Sequence, residues 1–142
     1  MKSLNLLASS LTCIIILGGC KSGNSVLDEE KIIGTYVRQW EGVQTHAYSD
    51  RVLGKYFIKD TIFVTKKTDG YGITNRRWKN NDYDTLGWRS SENFIKPHTA
   101  TFDKIDTTLN SPMSMYPPMI LDLQKGLLYT SSKRTDPYTK ID

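Results

Sequence analysis

"TIFVTKKTDGYGITNRRW", Thr61 to Trp78, decides how the chain is read. Two runs rich in β-branched and aromatic residues flank Asp69-Gly70, the strongest short hairpin signal in the sequence. Neither run carries the 3.6-residue apolar period of an amphipathic helix. Two antiparallel strands with a tight turn are therefore expected here, and the rest of the chain is read outward from them.

Upstream, "IIGTYVRQW" (Ile32–Trp40) has the same β-rich composition, and "THAYS" and "KYFI" are shorter strand candidates. Downstream, "HTATFD" places Ala100 and Phe102 on one face and Thr99, Thr101 and Asp103 on the other. In "MILDLQKGLLYTS", Met119, Leu121 and Leu123 alternate with Asp122 and Gln124, and Gly126 suits the left-handed position of a three-residue hairpin loop. "YTKI" supplies a closing strand. No window of 11 or more residues after Ser25 has helical periodicity. The expectation is an all-β domain of about eight short strands, a small antiparallel barrel or a β-sandwich. No internal repeat is present. Lys79–Pro97, which is polar, and Pro112–Pro118, which is proline-rich, read as loops.

"GTY", Gly34 to Tyr36, resembles the G-x-W element that opens the first strand of lipocalin-like barrels. By that resemblance Arg134 corresponds to the family's late arginine, which packs over the aromatic residue. Tyr36 stands where the family has tryptophan, and the family's T-D-Y triplet has no counterpart at its usual distance. The resemblance favours a barrel over a sandwich and implies an interior that carries a small apolar ligand.

The first residues carry a different message. Lys2 gives a basic head, Leu4–Leu17 an apolar segment broken by Asn5, Ser9, Ser10 and Thr12, and Gly18-Gly19 a small-residue cleavage region. The apolar stretch is too short for a membrane span of about 20 residues. "LGGC", Leu17 to Cys20, resembles the lipobox of bacterial lipoproteins, in which the cysteine becomes the first residue and carries the acyl chains. Several acyl chains hold a protein firmly at a membrane, at roughly 0.8 kcal/mol per buried methylene. The expected organisation is a signal peptide over 1–19, a lipidated Cys20 and tether over 20–31, and one antiparallel β domain over 32–142. "VLDEEK" reads as one helical turn before the fold, behind a weak cap at Ser25. Lys21 is not the aspartate that retains many lipoproteins at the inner membrane, so the resemblance implies the outer membrane of a bacterial envelope.

The 142 residues contain two cysteines, and this reading uses both: Cys13 leaves with the signal and Cys20 is acylated. The 123 residues that follow the cut carry 18 basic and 15 acidic side chains, a net charge of +3. That is a mildly basic surface and not the dense stripe of a nucleic-acid binder.

Catalytic patterns are missing. There is no G-x-S-x-G elbow, and "GYG" (Gly70–Gly72) lacks the third glycine of a dinucleotide fingerprint. His46 and His98, the two histidines, and Asp82 and Asp84 in "NDYD" fall short of a zinc or calcium ligand set. No cofactor, metal or catalytic residue is expected. The distinctive segment is "NRRWKNNDYDTLGWRSSENF", Asn75–Phe94. Arg76, Arg77, Trp78, Tyr83, Trp88 and Arg89 have the composition of an interface hot spot and are taken as a binding loop. The alternative is structural, with Trp88 folding back over the barrel. Together these features imply a non-catalytic, membrane-anchored module that binds an envelope protein. The alternative function is a lipocalin-like carrier, and nucleic acid is not an expected partner.

Overall fold

A computed structural model describes residues 29–91 and 95–142. The signal segment, Cys20 and Phe94 lie outside the described residues. The described residues are all-β, with one short helix, α1 (Glu29–Ile32), and nine strands. They are β1 (Gly34–Thr45), β2 (Val52–Lys67), β3 (Gly70–Asn81), β4 (Arg89–Ser91), β5 (His98–Asp103), β6 (Thr108–Asn110), β7 (Met119–Asp122), β8 (Leu127–Tyr129) and β9 (Tyr138–Lys140). All pairings are antiparallel, in the order β2-β1-β9-β8-β7-β6-β5-β3-β4. An additional β2–β3 ladder closes the sheet in a ring.

The opening stretch forms the β2–β3 hairpin. Lys67 pairs with Gly70, so Thr68 and Asp69 are the two connecting residues. The flanking strands are far longer than the sequence pattern indicates. "KYFI" and "TIFVTKK" are one 16-residue strand, and β1 pairs with it in continuous register from Gly34 to Gln44, with a one-residue shift before Thr45. "THAYS" is mostly the turn between them, closed by the His46 N–H donating to the Arg51 carbonyl at 2.9 Å. The segment expected as a loop from Lys79 to Pro97 also contains strand. Residues 79–81 finish β3 because β2 extends far enough to pair with them, and Arg89–Ser91 return as β4. β6 follows a turn in which Asp103 Oδ1 accepts from the N–H groups of Ile105 and Asp106. The β7–β8 hairpin is present. Its connection is the four residues 123–126, with Gly126 left-handed at φ 64°.

The ring and the long strands do not coincide. β9 pairs with β1 only at Tyr36 and Val37, and β5 pairs with β3 only at Tyr71–Ile73. Beyond those levels β1, β2, β3 and β4 project as a four-stranded sheet. Within the ring the core includes Tyr36, Ile62, Val64, Ile73, Leu109, Leu121, Leu128 and Tyr138, all buried. α1 closes the end away from the projecting sheet. Ile32 is buried, and the Tyr36 hydroxyl donates to its carbonyl at 2.9 Å. Lys140 Nζ donates to the Glu30 carbonyl at 2.6 Å, and Lys66 pairs with Glu29. Arg134 does not cover Tyr36. It is exposed in a turn with φ 50°, and the carbonyls of α1 take the Tyr36 hydroxyl instead.

Candidate functional site: two faces of the projecting sheet

Alternation along β1, β2 and β3 sorts the side chains into two faces. The register puts Tyr36, Ile62 and Asn75 in one inward row, Arg38, Asp60 and Arg77 in the next, then Trp40, Ile58 and Lys79. The fourth row is Gly42, Tyr56 and Asn81. Gly42 is a close-approach position: a Cβ there would lie 2.3 Å from the Tyr56 ring, which instead takes Lys79 Nζ over its face at 5.3 Å.

The inward face is built around Asp60, which is 0% exposed. Arg77 grips it through two bonds, Nε to Oδ1 at 2.6 Å and Nη2 to Oδ2 at 2.8 Å. The Tyr138 hydroxyl donates to Oδ2 at 3.2 Å, and Arg38 Nη2 approaches the same oxygen at 3.4 Å. The Arg38 guanidinium also lies over the rings of Trp40 and Tyr138, at 4.7 and 4.5 Å. Hydrogen bonding to Asp60 raises the pKa of Arg77 further above neutrality. Burial raises that of Tyr138, reinforced by the Asp60 charge. The carboxylate is thus saturated with donors, an arrangement that fixes charge in place. At the far end, Asp84 accepts from Asn81 Nδ2 at 2.7 Å, Arg89 Nη2 at 2.8 Å and the Leu86 N–H at 3.1 Å. The Asn81 bond leads these in holding its carboxyl below the usual range.

The outward face is different. Arg76 is exposed on it, and Trp78 stands directly across from Lys59, which in turn faces Gln39. Trp88, 50% exposed, folds back onto this face. Gln39, Lys59, Trp78 and Trp88 line one shallow depression of about 370 Å³. A second, of about 250 Å³, lies between Trp88, Phe57 and Glu41. Val43, Tyr48, Val52, Leu53, Tyr83 and Leu86 add exposed apolar surface around the same end of the sheet.

The six residues grouped from sequence are therefore divided. Trp78 and Trp88 come together on the outside with Arg76 on the same face, Tyr83 sits in the turn after β3, and Arg77 and Arg89 are bound to carboxylates on the inner side. His46 and His98 do not meet: His46 is in the β1–β2 turn, and His98 pairs with Ile73 and stacks on Tyr116 at 4.8 Å. Among the described residues no group of three or more His, Cys, Asp or Glu is placed to hold a metal ion. The sequence reading missed Arg38, Trp40, Asp60 and Tyr138. A signal for them existed: Asp60 interrupts the apolar alternation Ile58, Ile62, Val64, a charge on a face that otherwise points inward.

Comparison with protein-family models, curated proteins and solved structures finds no match to this chain.

Proposed function

We propose that this protein is a non-catalytic, lipid-anchored domain of the bacterial envelope that binds a partner protein through the outer face of its projecting sheet. The observation that carries the reading is the half-exposed Trp88 laid against Trp78, Lys59 and Gln39. A tryptophan half in water on a rigid sheet beside a cation is typical of an interface anchor. The anchor rests on Leu17-Gly18-Gly19-Cys20 and places the protein at a membrane, the outer one by the residue after the cysteine. Residues 20–28 would lead into α1, at the end of the domain opposite the tryptophans, so the binding face is turned away from the anchoring bilayer.

The test is the double variant Arg76→Ala, Trp88→Ala in the full-length protein. Arg77 is left alone because its loss would strip the buried Asp60 of its main partner. The expected result is an unchanged urea midpoint and loss of co-purification with a specific envelope protein after cross-linking in cells. Retained co-purification, or a midpoint lowered as much as by a core substitution, refutes the reading. In the same cells Cys20→Ser should abolish incorporation of labelled palmitate.

A second reading, carriage of a small apolar ligand, is favoured by one feature: a crevice of about 280 Å³ lined by Ile95, Met115, Tyr116, Pro117, Met119 and Thr130. A fatty-acid-sized adduct in native mass spectra of the purified domain supports carriage; the bare mass supports the first reading.

A further inference from the structure

The β1–β9 ladder stops after two residue pairs, and the reason is chemical. Thr35 directs both its backbone groups toward the end of the chain: its N–H donates to Asp142 Oδ1 at 2.6 Å, and its carbonyl accepts from Ile141 N–H at 3.0 Å. Backbone groups alternate sides along a strand, so Val37, Gln39, Glu41 and Val43 point the same way, and their even-numbered neighbours point toward β2. Val37 pairs with Thr139, and continuing that register sets Gln39 against Pro137. Proline has no N–H to give, and the ladder ends there. Left-handed backbone at Arg134 and Asp136, both with φ 50°, turns the preceding chain away from β1. What remains is a cleft of about 570 Å³ lined by Arg38, Gln39, Trp40, Asp136 and Pro137. Along it and above it, Gln39, Glu41 and Val43 offer three N–H and three C=O groups that, among the described residues, no strand pairs in the sheet.

We infer that this open edge of β1 takes an extended segment of another polypeptide as an added strand. The inference deepens the proposed function, on which it rests, by naming how the partner is held. Main-chain groups in alternation are matched by another extended backbone, which supplies affinity through ladder bonds and specificity through alternate side chains. The edge also continues the outer face, because Gln39 lines both the cleft and the depression under Trp88. Outward side chains of an added strand would therefore lie on the Trp88 side of the sheet, next to Gln39 and Glu41. A second copy is a poorer occupant. Antiparallel pairing of β1 with β1 turns one copy end for end and puts the two anchored ends on opposite sides of the pair, which one membrane surface cannot satisfy.

The geometry supplies a selective probe. Glu41→Pro removes an N–H that points to the open edge and no bond to β2. Glu41→Ala keeps that N–H. Both lose the exposed Glu41–Lys55 ion pair equally. A phage-displayed library of random dodecapeptides is selected on the purified domain, and the enriched peptides are synthesised. The expected result is binding that is equal for wild type and Glu41→Ala and falls at least tenfold for Glu41→Pro. Amide exchange at Gln39, Glu41 and Val43 should slow when peptide is bound to the wild type. That exchange measurement, with Val43→Pro, decides the matter if Glu41→Pro does not fold. No enrichment, peptides indifferent to Glu41→Pro, unchanged exchange at the three amides, or a dimer that disappears in Glu41→Pro each overturn the inference. The two claims fail separately. Loss of peptide binding in Glu41→Pro, with co-purification untouched by Arg76→Ala, Trp88→Ala, removes the tryptophan face and keeps the edge. The converse removes the edge alone.

Discussion

At Asp60 a carboxylate with no exposure lies between two guanidiniums and a phenol hydroxyl. Removing one member of a buried ion pair costs more than the pair contributes, because the remaining charge is stranded. Asp60→Ala leaves Arg38 and Arg77 facing each other across β2. Both keep some access to water, with side chains 24% and 28% exposed, so the cost falls at the low end, roughly 3 kcal/mol. Urea unfolding should show that loss, and Asp60→Asn, which retains oxygen and amide partners, should lose less. An Asp60→Ala midpoint within error of wild type would mean that water compensates the two arginines fully. This residue also marks where sequence reading of the site stops. Trp78 and Trp88 are legible as unusual in composition, and they do come together. Which arginines face outward is set by strand register: Arg76 and Arg77 are adjacent in the chain and end on opposite faces. Alternation in the second strand of the expected hairpin already separates exposed Arg76 from Asp60-bound Arg77, but grouping Asn75–Phe94 as one binding loop sets that alternation aside.

Among the elements, the β7–β8 hairpin is held by a single conformational requirement. Gly126 sits at φ 64°, and its carbonyl accepts from the Lys140 N–H at 2.8 Å, tying the turn to the last strand. A side chain in the left-handed region costs about 1–2 kcal/mol. The added Cβ would also meet the Lys140 side chain at 3.4 Å. Gly126→Ala is thus expected to lower stability by about 1 kcal/mol or slightly more. Gly126→Asn should lose less, since asparagine tolerates this region. Equal losses would show that the contact with Lys140, and not the dihedral, sets the cost. This hairpin, the Asp69-Gly70 hairpin, the β5 alternation and the closing strand are all legible, because each is written in local turn chemistry or period-two pattern. The length of β2 is not. Its first half, from Val52 to Lys59, carries Gly54, two lysines and mixed polarity, since there it belongs to the projecting sheet and not to the ring around the core. β4 and β6, three residues each, are too short to leave a pattern; long-range pairing defines them.

For the whole molecule, the first strand, the last strand and the helical plug are joined through two buried tyrosines. Tyr36 holds α1 to β1, and Tyr138 holds β9 to the Asp60 cluster. Burial pushes the Tyr36 hydroxyl up to about 12, with the Asp142 charge adding to it, and burial likewise raises Tyr138. In the unfolded chain both ionise near pH 10. Above that pH the unfolded state has released protons that the folded state still holds, so stability must fall as pH rises. The contribution is complete below about pH 10 and, for Tyr36, is lost between about 10 and 12. Each tyrosine gives a slope of about 1.4 kcal/mol per pH unit, and the pair about 2.7. Lys55 and Lys66, raised by their hydrogen bonds to Glu41 and Glu29, lose charge in the same direction but are fully exposed, and such surface pairs contribute little. Urea midpoints measured from pH 9 to 11.5 should therefore stay level at first and then drop steeply. Tyr36→Phe separates the causes: it leaves both lysine pairs in place and removes one ionisation, so the slope above pH 10 should fall by about half. An unchanged slope would assign the alkaline loss to the lysines and free the plug from any part in it.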